Sequence, residues 1–414
     1  MPESPELHGW KQIAGYLRVS IRTAQAMEKD QGLPVHRGPG TKSPVYAFAA
    51  EIDRWYALKS RPPERPERPD QLPSRRRWLR YGVIAGASAL TLGGFELAFR
   101  RLRWMWAGVP GSCQVQGHVL IVYDRTNAEL WRYTFPEIMS RPPTPCVFAD
   151  LSGHGRRETL FIAVPLRLHA TACMVCFGAD GSRRWTFYPG KTVIDNRGRQ
   201  FSPPYSVLQV VAFRTGASKA DRIVVASVHN YSFPAQLAIL DPAGKVVAEY
   251  WHRGHLTHIA VADLDGDGEP EILAGGVNDA PEIGQATLLV FDHRHLAGAT
   301  PDAHGGSYFQ GIPPFPAKHT VFFPKSPISQ GLEFNRVREV VIQADRILVE
   351  VVEGTAEDGH EAVDYELNFR LEILNVTPDD AFLNRLRELQ RQGQIPDEPA
   401  YLVVELLKRG VRVL

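Results

Sequence analysis

The sequence predicts a multidomain chain: a small α+β winged-helix head, one transmembrane helix, and an all-β propeller of about five blades with a C-terminal helix. Three observations predict it. An apolar stretch of 19 residues, 81–99, carries a single charge, Glu96. Charge divides around that stretch: residues 1–80 hold 15 Lys/Arg against 9 Asp/Glu, and residues 105–414 hold 29 against 36, so an overall +1 conceals a basic and an acidic part. Beyond residue 105, a two-part β-rich pattern recurs at a period of roughly 55–60 residues, the length of a four-stranded unit.

The head spans 1–60. Trp10, Ile13, Ala14 and Leu17 recur at helical spacing, and Ser20 is placed as the N-cap of a second helix from Ile21 to about Asp30. Gly32-Leu33-Pro34 ends that helix. Val35 to Phe48 alternates around Gly38-Pro39-Gly40, the pattern of a hairpin, and Ile52, Trp55, Tyr56 and Leu58 mark a closing helix. Two short helices, a hairpin and a helix give a winged helix-turn-helix plan.

The run Trp10-Lys-Gln-Ile-Ala-Gly-Tyr-Leu-Arg-Val-Ser-Ile-Arg-Thr-Ala-Gln25, with Glu28 to Val35, resembles the excisionase/MerR-type DNA-binding head. The resemblance implies that Ser20, Arg22, Thr23 and Gln25 face DNA from a recognition helix, and that Arg37 and Lys42 touch phosphates from the wing. Similar heads carry Arg-Trp-Glu where this chain has Ala26-Met27-Glu28, which removes one basic contact. The alternative for the head is a module that docks a cytoplasmic protein.

Residues 61–80 form a linker. Its first 14 residues contain five prolines and almost no apolar surface, so it is extended. The span 81–99 follows. At about 1.5 Å per helical residue it just crosses a hydrocarbon core of roughly 30 Å. From Arg61 onward seven arginines precede it, and Arg100, Arg101 and Arg103 follow it. That bias places the N-terminus in the cytoplasm and the C-terminal part outside an inner membrane. Arg75-Arg76-Arg77 also resembles a twin-arginine signal. Gly82/Gly86 and Ala85/Ala89 are small-residue pairs suited to a homodimer through the span. The alternative is a buried core helix.

The propeller spans 105–376. Its first repeated element is an apolar strand ending in an Asp turn, then a strand ending in an aromatic: Val119–Asp124 to Trp131, Met174–Asp180 to Trp185, Leu237–Asp241 to Tyr250, and Leu288–Asp292. The second precedes these: Val147 to Glu158, Val210 to Asp221, and Ile259 to Glu271. Arg336 to Val376 offers strands for one further blade.

Within Ile259–Glu271, Asp263, Asp265 and Asp267 stand at positions 1, 3 and 5 with Gly268 at 6, which is hard-oxygen spacing for Ca²⁺. Position 12 is Ala274, so this is no EF-hand; Glu271 is the expected closing carboxylate, with the Glu269 carbonyl between. The unit resembles the FG-GAP/VCBS repeat of integrin-α-type propellers, which implies a calcium loop joining two strands. The loop at Asp150 lacks two of the carboxylates and reads as structural, with Asp150 and Glu158 available to pair with Arg156 or Arg157.

Other features point away from chemistry. His252, His255 and His258 read as packing residues. Cys113, Cys146, Cys173 and Cys176 permit two disulfides in three pairings and lack a matching zinc ligand set. There is no phosphate loop or nucleophile elbow, so no enzyme is expected. Thr377-Pro378-Asp379-Asp380 starts a helix, and Pro399 to Leu414 reads as strand-rich; 377–414 is a helix with a closing strand. The expected function is a membrane-tethered DNA-binding regulator whose exported, calcium-binding propeller engages a protein or glycan. The alternative is a membrane-anchored adhesion or scaffold protein.

Overall fold

The computed structural model describes residues 6–17, 25, 28–29, 33–37, 45–48, 51–52, 108–140, 145–166, 171–216, 218–279, 284–353 and 361–414. The chain divides into two compact units, one of residues 1–140 with 166–168, the other of 141–165 with 169–414.

In the first unit, β1 (Glu6–His8) leads into α1 (Gly9–Leu17), followed by β2 (His36–Arg37) and β3 (Val45–Phe48). The strands form one antiparallel sheet in the order β1-β3-β2. Ile13, Ala14 and Leu17 lie on one side of α1 and pack on Leu7, Leu33, Ala47 and Ile52. A three-stranded meander follows: β4 (Pro110–Gln116), β5 (Val119–Asp124) and β6 (Glu129–Thr134).

The second unit repeats a four-stranded antiparallel meander. The first is β7 (Cys146–Ala149), β8 (Glu158–Ala163), β9 (Cys173–Phe177) and β10 (Arg183–Phe187). A two-stranded ribbon, β11 (Val193–Ile194) and β12 (Gln200–Phe201), leads to the next. That meander is β13 (Tyr205–Phe213), β14 (Arg222–His229), β15 (Pro234–Leu240) and β16 (Val246–Arg253). Then come β17 (Leu256–Ala262), β18 (Glu271–Asn278), β19 (Gln285–Asp292), a 3-10 turn (His293–His295) and β20 (His319–Phe323). The last meander is β21 (Arg336–Gln343), β22 (Arg346–Val352), β23 (Ala362–Asn368) and β24 (Ile373–Pro378). Two helices, α2 (Asp380–Arg391) and α3 (Ala400–Gly410), precede β25 (Arg412–Val413), which adds a fifth strand beside β20.

Apolar clusters between successive sheets explain the strand composition. Leu160, Ile162 and Met174 meet Val207, Val210 and Ile223. Val224, Ala226 and Leu237 meet Ile259, Ile272 and Leu289. Leu273, Leu288 and Val321 meet Val337, Val349 and Tyr365. A sheet covered on both faces needs continuous apolar runs, and β8, β15 and β18 are buried along their whole length. β22 instead alternates, and the polar side of its sheet carries the cross-strand pairs Arg338–Glu350 and Arg346–Glu366. The stacked meanders are a propeller-like arrangement.

Two parts of the expected fold class are corrected. Among the described residues no helix is long and apolar enough to cross a membrane. The longest, α2, has 12 residues, against about 20 for a hydrocarbon core; residues 81–99 lie outside the described residues. The winged-helix head is not supported either. The expected hairpin is present as β2 with β3, but a strand before α1 joins it: β1 pairs with Tyr46 to Phe48 of β3 (Glu6↔Phe48 to His8↔Tyr46), and Ala47 is fully buried under α1. Of the expected second helix, only Gln25, Glu28 and Lys29 are described. A local correction concerns 399–414: most of that segment is helical in α3, because Val403 and Leu407, four apart, form a buried stripe.

Candidate metal centre

The loop between β17 and β18 is built by its own first residue. Asp263 Oδ1 accepts the Gly266 N–H at 2.8 Å and Oδ2 accepts the Gly268 N–H at 2.9 Å. Gly266 and Gly268 sit at φ +77° and +83°, a region L side chains rarely adopt, which is why glycine alternates with aspartate here. Asp265 Oδ1 accepts from Asp267 N–H at 3.2 Å, and Asp267 Oδ1 from Glu269 N–H at 2.8 Å. These turns bring one carboxylate oxygen from each of Asp263, Asp265 and Asp267 within 4.8 Å of one another. Three hard anionic oxygens at that separation are a suitable start for a Ca²⁺ coordination sphere. Among the described residues this is the one group of three or more His, Cys, Asp or Glu side chains so arranged.

The expected closing carboxylate is engaged elsewhere. Glu271, almost wholly buried, accepts the Leu264 N–H on Oε2 at 3.0 Å and the Lys318 ammonium on Oε1 at 2.7 Å. The Glu269 carboxylate lies 3.5 Å from His293 Nε2. Sequence reasoning missed two basic residues. Lys318 Nζ also reaches Asp265 Oδ2 at 2.9 Å, and Arg294 Nη2 reaches Asp267 Oδ2 at 3.0 Å and Asp292 Oδ2 at 2.8 Å. The Lys318 ammonium, and then the Asp267 N–H, hold the Asp265 carboxyl below the usual carboxylate range. Lys318 is raised in turn, by Glu271 first and then Asp265. These partners are 27 to 53 residues away in sequence, so no local pattern announces them.

The loop between β7 and β8 repeats the frame without the extra acids. Asp150 accepts N–H groups of His154 at 3.2 Å and Gly155 at 2.8 Å, and Leu151 N–H donates to Glu158 Oε2 at 3.0 Å, as Leu264 does to Glu271. Glu158 faces Arg184 at 3.6 Å, not Arg156 or Arg157. The third expected element, at 210–221, ties adjacent sheets together: Asp221 Oδ2 accepts the Asp150 N–H at 2.8 Å, and Asp221 N–H donates to the Asp150 carbonyl at 2.8 Å.

Of the residues expected to meet DNA, Ser20, Arg22, Thr23 and Lys42 lie outside the described residues, and Gln25 is exposed. Arg37 is held internally, its Nη2 donating to Glu28 Oε2 at 2.9 Å as the second arm of a two-point pair. The histidines spend their ring nitrogens on the fold. His252 is fully buried and lies 2.7 Å from Thr300 Oγ1 and 3.1 Å from the Val277 carbonyl, and burial pulls it down to about 4. His255 Nε2 donates to the Ser232 carbonyl at 2.7 Å. Burial likewise lowers His258. Cys113 and Cys146 are disulfide-bonded, whereas Cys173 and Cys176 are free. Burial pushes the Cys176 thiol up to about 12, which disfavours the thiolate.

No protein-family model and no curated protein sequence matches the chain. Among solved structures, it is similar to the Dos1 propeller, at 10% identity over 66% of this chain and 68% of that one, with a TM-score of 0.34. It is also similar to BBS1N crystallised with ARL6DN, at 11% identity over 65% and 77%, with a TM-score of 0.32. A protein of unknown function from Bacteroides caccae aligns at 11% identity over 66% and 95%, with a TM-score of 0.26. Likeness at this level says nothing of function. The class that the stacked meanders define is a propeller-like, mainly β protein.

Proposed function

We propose that the chain is a calcium-binding, non-catalytic recognition protein of the propeller-like class, working in an oxidising compartment on a protein or glycan partner. The approach of the Asp263, Asp265 and Asp267 oxygens to within 4.8 Å carries this reading. Calcium there would stiffen the β17–β18 connection by neutralising three carboxylates crowded into five residues. The disulfide-bonded state of Cys113 and Cys146 supports the compartment. The wiring of His252 and of the buried Tyr250, whose hydroxyl lies 3.1 Å from Thr300 Oγ1, supports binding over catalysis, since these polar groups are consumed by the fold.

The test is calorimetric titration of the full chain with CaCl₂, beside Asp263→Asn and Asp265→Asn. We expect saturable heat from the native chain at one site, weakened at least about tenfold in each variant, because each loses an anionic ligand. Identical isotherms for all three proteins would remove the calcium assignment.

A further inference from the structure

Lys318 and Arg294 place positive charge where a metal ion's charge would be felt. Neither belongs to the loop: Arg294 comes from the 3-10 turn after β19, and Lys318 immediately precedes β20. The metal-poor copy of the loop separates their two roles. There Arg184 faces the brace Glu158, just as Lys318 faces Glu271, so a basic residue on that glutamate belongs to the shared frame. Ser152 and His154 occupy the places of Asp265 and Asp267. The contacts from Lys318 to Asp265 and from Arg294 to Asp267 therefore accompany the extra carboxylates.

Each cation also borders open space. Lys318 lines a cavity of about 120 Å³ with Asp265, Phe369 and Arg370. Arg294 lines one of about 340 Å³ with Arg222, Asp241 and Val247. An ammonium or guanidinium leaving the loop has somewhere to go without unpacking a core.

We propose that Lys318 and Arg294 are tethered counter-ions that hold the carboxylates of Asp265 and Asp267 until a divalent cation displaces them, making metal uptake an exchange of charges. The inference rests on the calcium reading. Lys318 and Arg294 already sit on Asp265 Oδ2 and Asp267 Oδ2, and like charges a few ångströms apart repel, so an incoming ion competes with the two side chains for these oxygens. Metal affinity is then set low by design of the surroundings, and the loop keeps its shape when the ion is absent. Binding would also free Lys318 from Asp265 and Arg294 from Asp267, changing the charge facing both cavities.

The experiment compares Ca²⁺ titrations of the full chain with Lys318→Gln, Arg294→Gln and the charge-keeping Lys318→Arg, each paired with a urea unfolding curve in EDTA. The expected result is tighter Ca²⁺ binding by about tenfold in each glutamine variant, native-like binding in Lys318→Arg, and earlier unfolding of the glutamine variants in EDTA. Equal affinity in all four proteins would overturn the counter-ion role and leave the calcium reading standing. No uptake by any of the four would overturn the calcium reading itself, and the exchange with it.

Discussion

An aspartate at the end of a strand is the residue with which this chain repeatedly turns. Asp124 accepts the N–H of Thr126 and Ala128, Asp180 that of Ser182, Asp241 those of Ala243 and Lys245, and Asp292 that of Arg294. Asn368 does the same work toward Arg370 and Glu372, a further copy that a search for aspartate passes over. Burial would raise the Asp124 carboxyl, but the Thr126 hydroxyl and the Ala128, Gly108 and Thr126 N–H groups outweigh it and hold it at about 2. A depressed folded value stabilises above the unfolded carboxylate range, and that contribution is lost as pH falls through the folded value. Between pH 5 and 2, the urea midpoint of Asp124→Asn should therefore fall less than that of the native chain. Parallel curves would show that these hydrogen bonds do not favour the ionised form.

At the scale of elements, α2 and α3 differ in how openly they are encoded. Asp379 caps α2 by accepting the Phe382 N–H at 2.6 Å, and Phe382, Leu386 and Leu389 form its buried stripe. Asp379→Ala should lower stability by about 1 kcal/mol, the usual cost of losing such a cap. Phe382→Ala should cost about 3–5 kcal/mol, because the ring is fully buried in the cluster shared with β21–β24. Chemical denaturation measures both, and near-equal losses would contradict this ranking. α3 has no side-chain cap, and its Val403-Val404 pair reads locally as strand. Only the surface beneath it makes Val403 and Leu407 a helical stripe, so helix wins through packing.

At the scale of the molecule, the second unit depends on sheets approaching closely enough to share apolar clusters. Gly275 shows how close: an added Cβ would lie 2.6 Å from Val337 Cγ1 and 2.8 Å from Val340 Cγ2 on the next sheet. Gly275→Ala should destabilise by roughly 1–3 kcal/mol as those valines are forced aside. A double variant with Val337→Ala should recover part of the loss, and strict additivity of the two would refute the contact. The chain that connects the sheets is less regular than its repeat. Residues 293–318 depart from the meander: Gly298 and Thr300 exchange backbone hydrogen bonds with Trp251, and Asn196 N–H donates to the Tyr308 carbonyl.

By itself the sequence determined the local grammar: which aspartates turn, which loop clusters three carboxylates, and where apolar strands recur. Those features depend on side chains bonding to backbone within a few residues, so spacing alone reveals them. It showed the β2–β3 hairpin of the head but not its third strand, because β1, which also pairs with β3, lies some forty residues earlier. Tertiary structure alone decided that Glu271 braces the loop, that Lys318 and Arg294 face its acids, and that the last segment is helical. Each of those outcomes is a contact between residues far apart in the chain, and only the stacking of the sheets creates it.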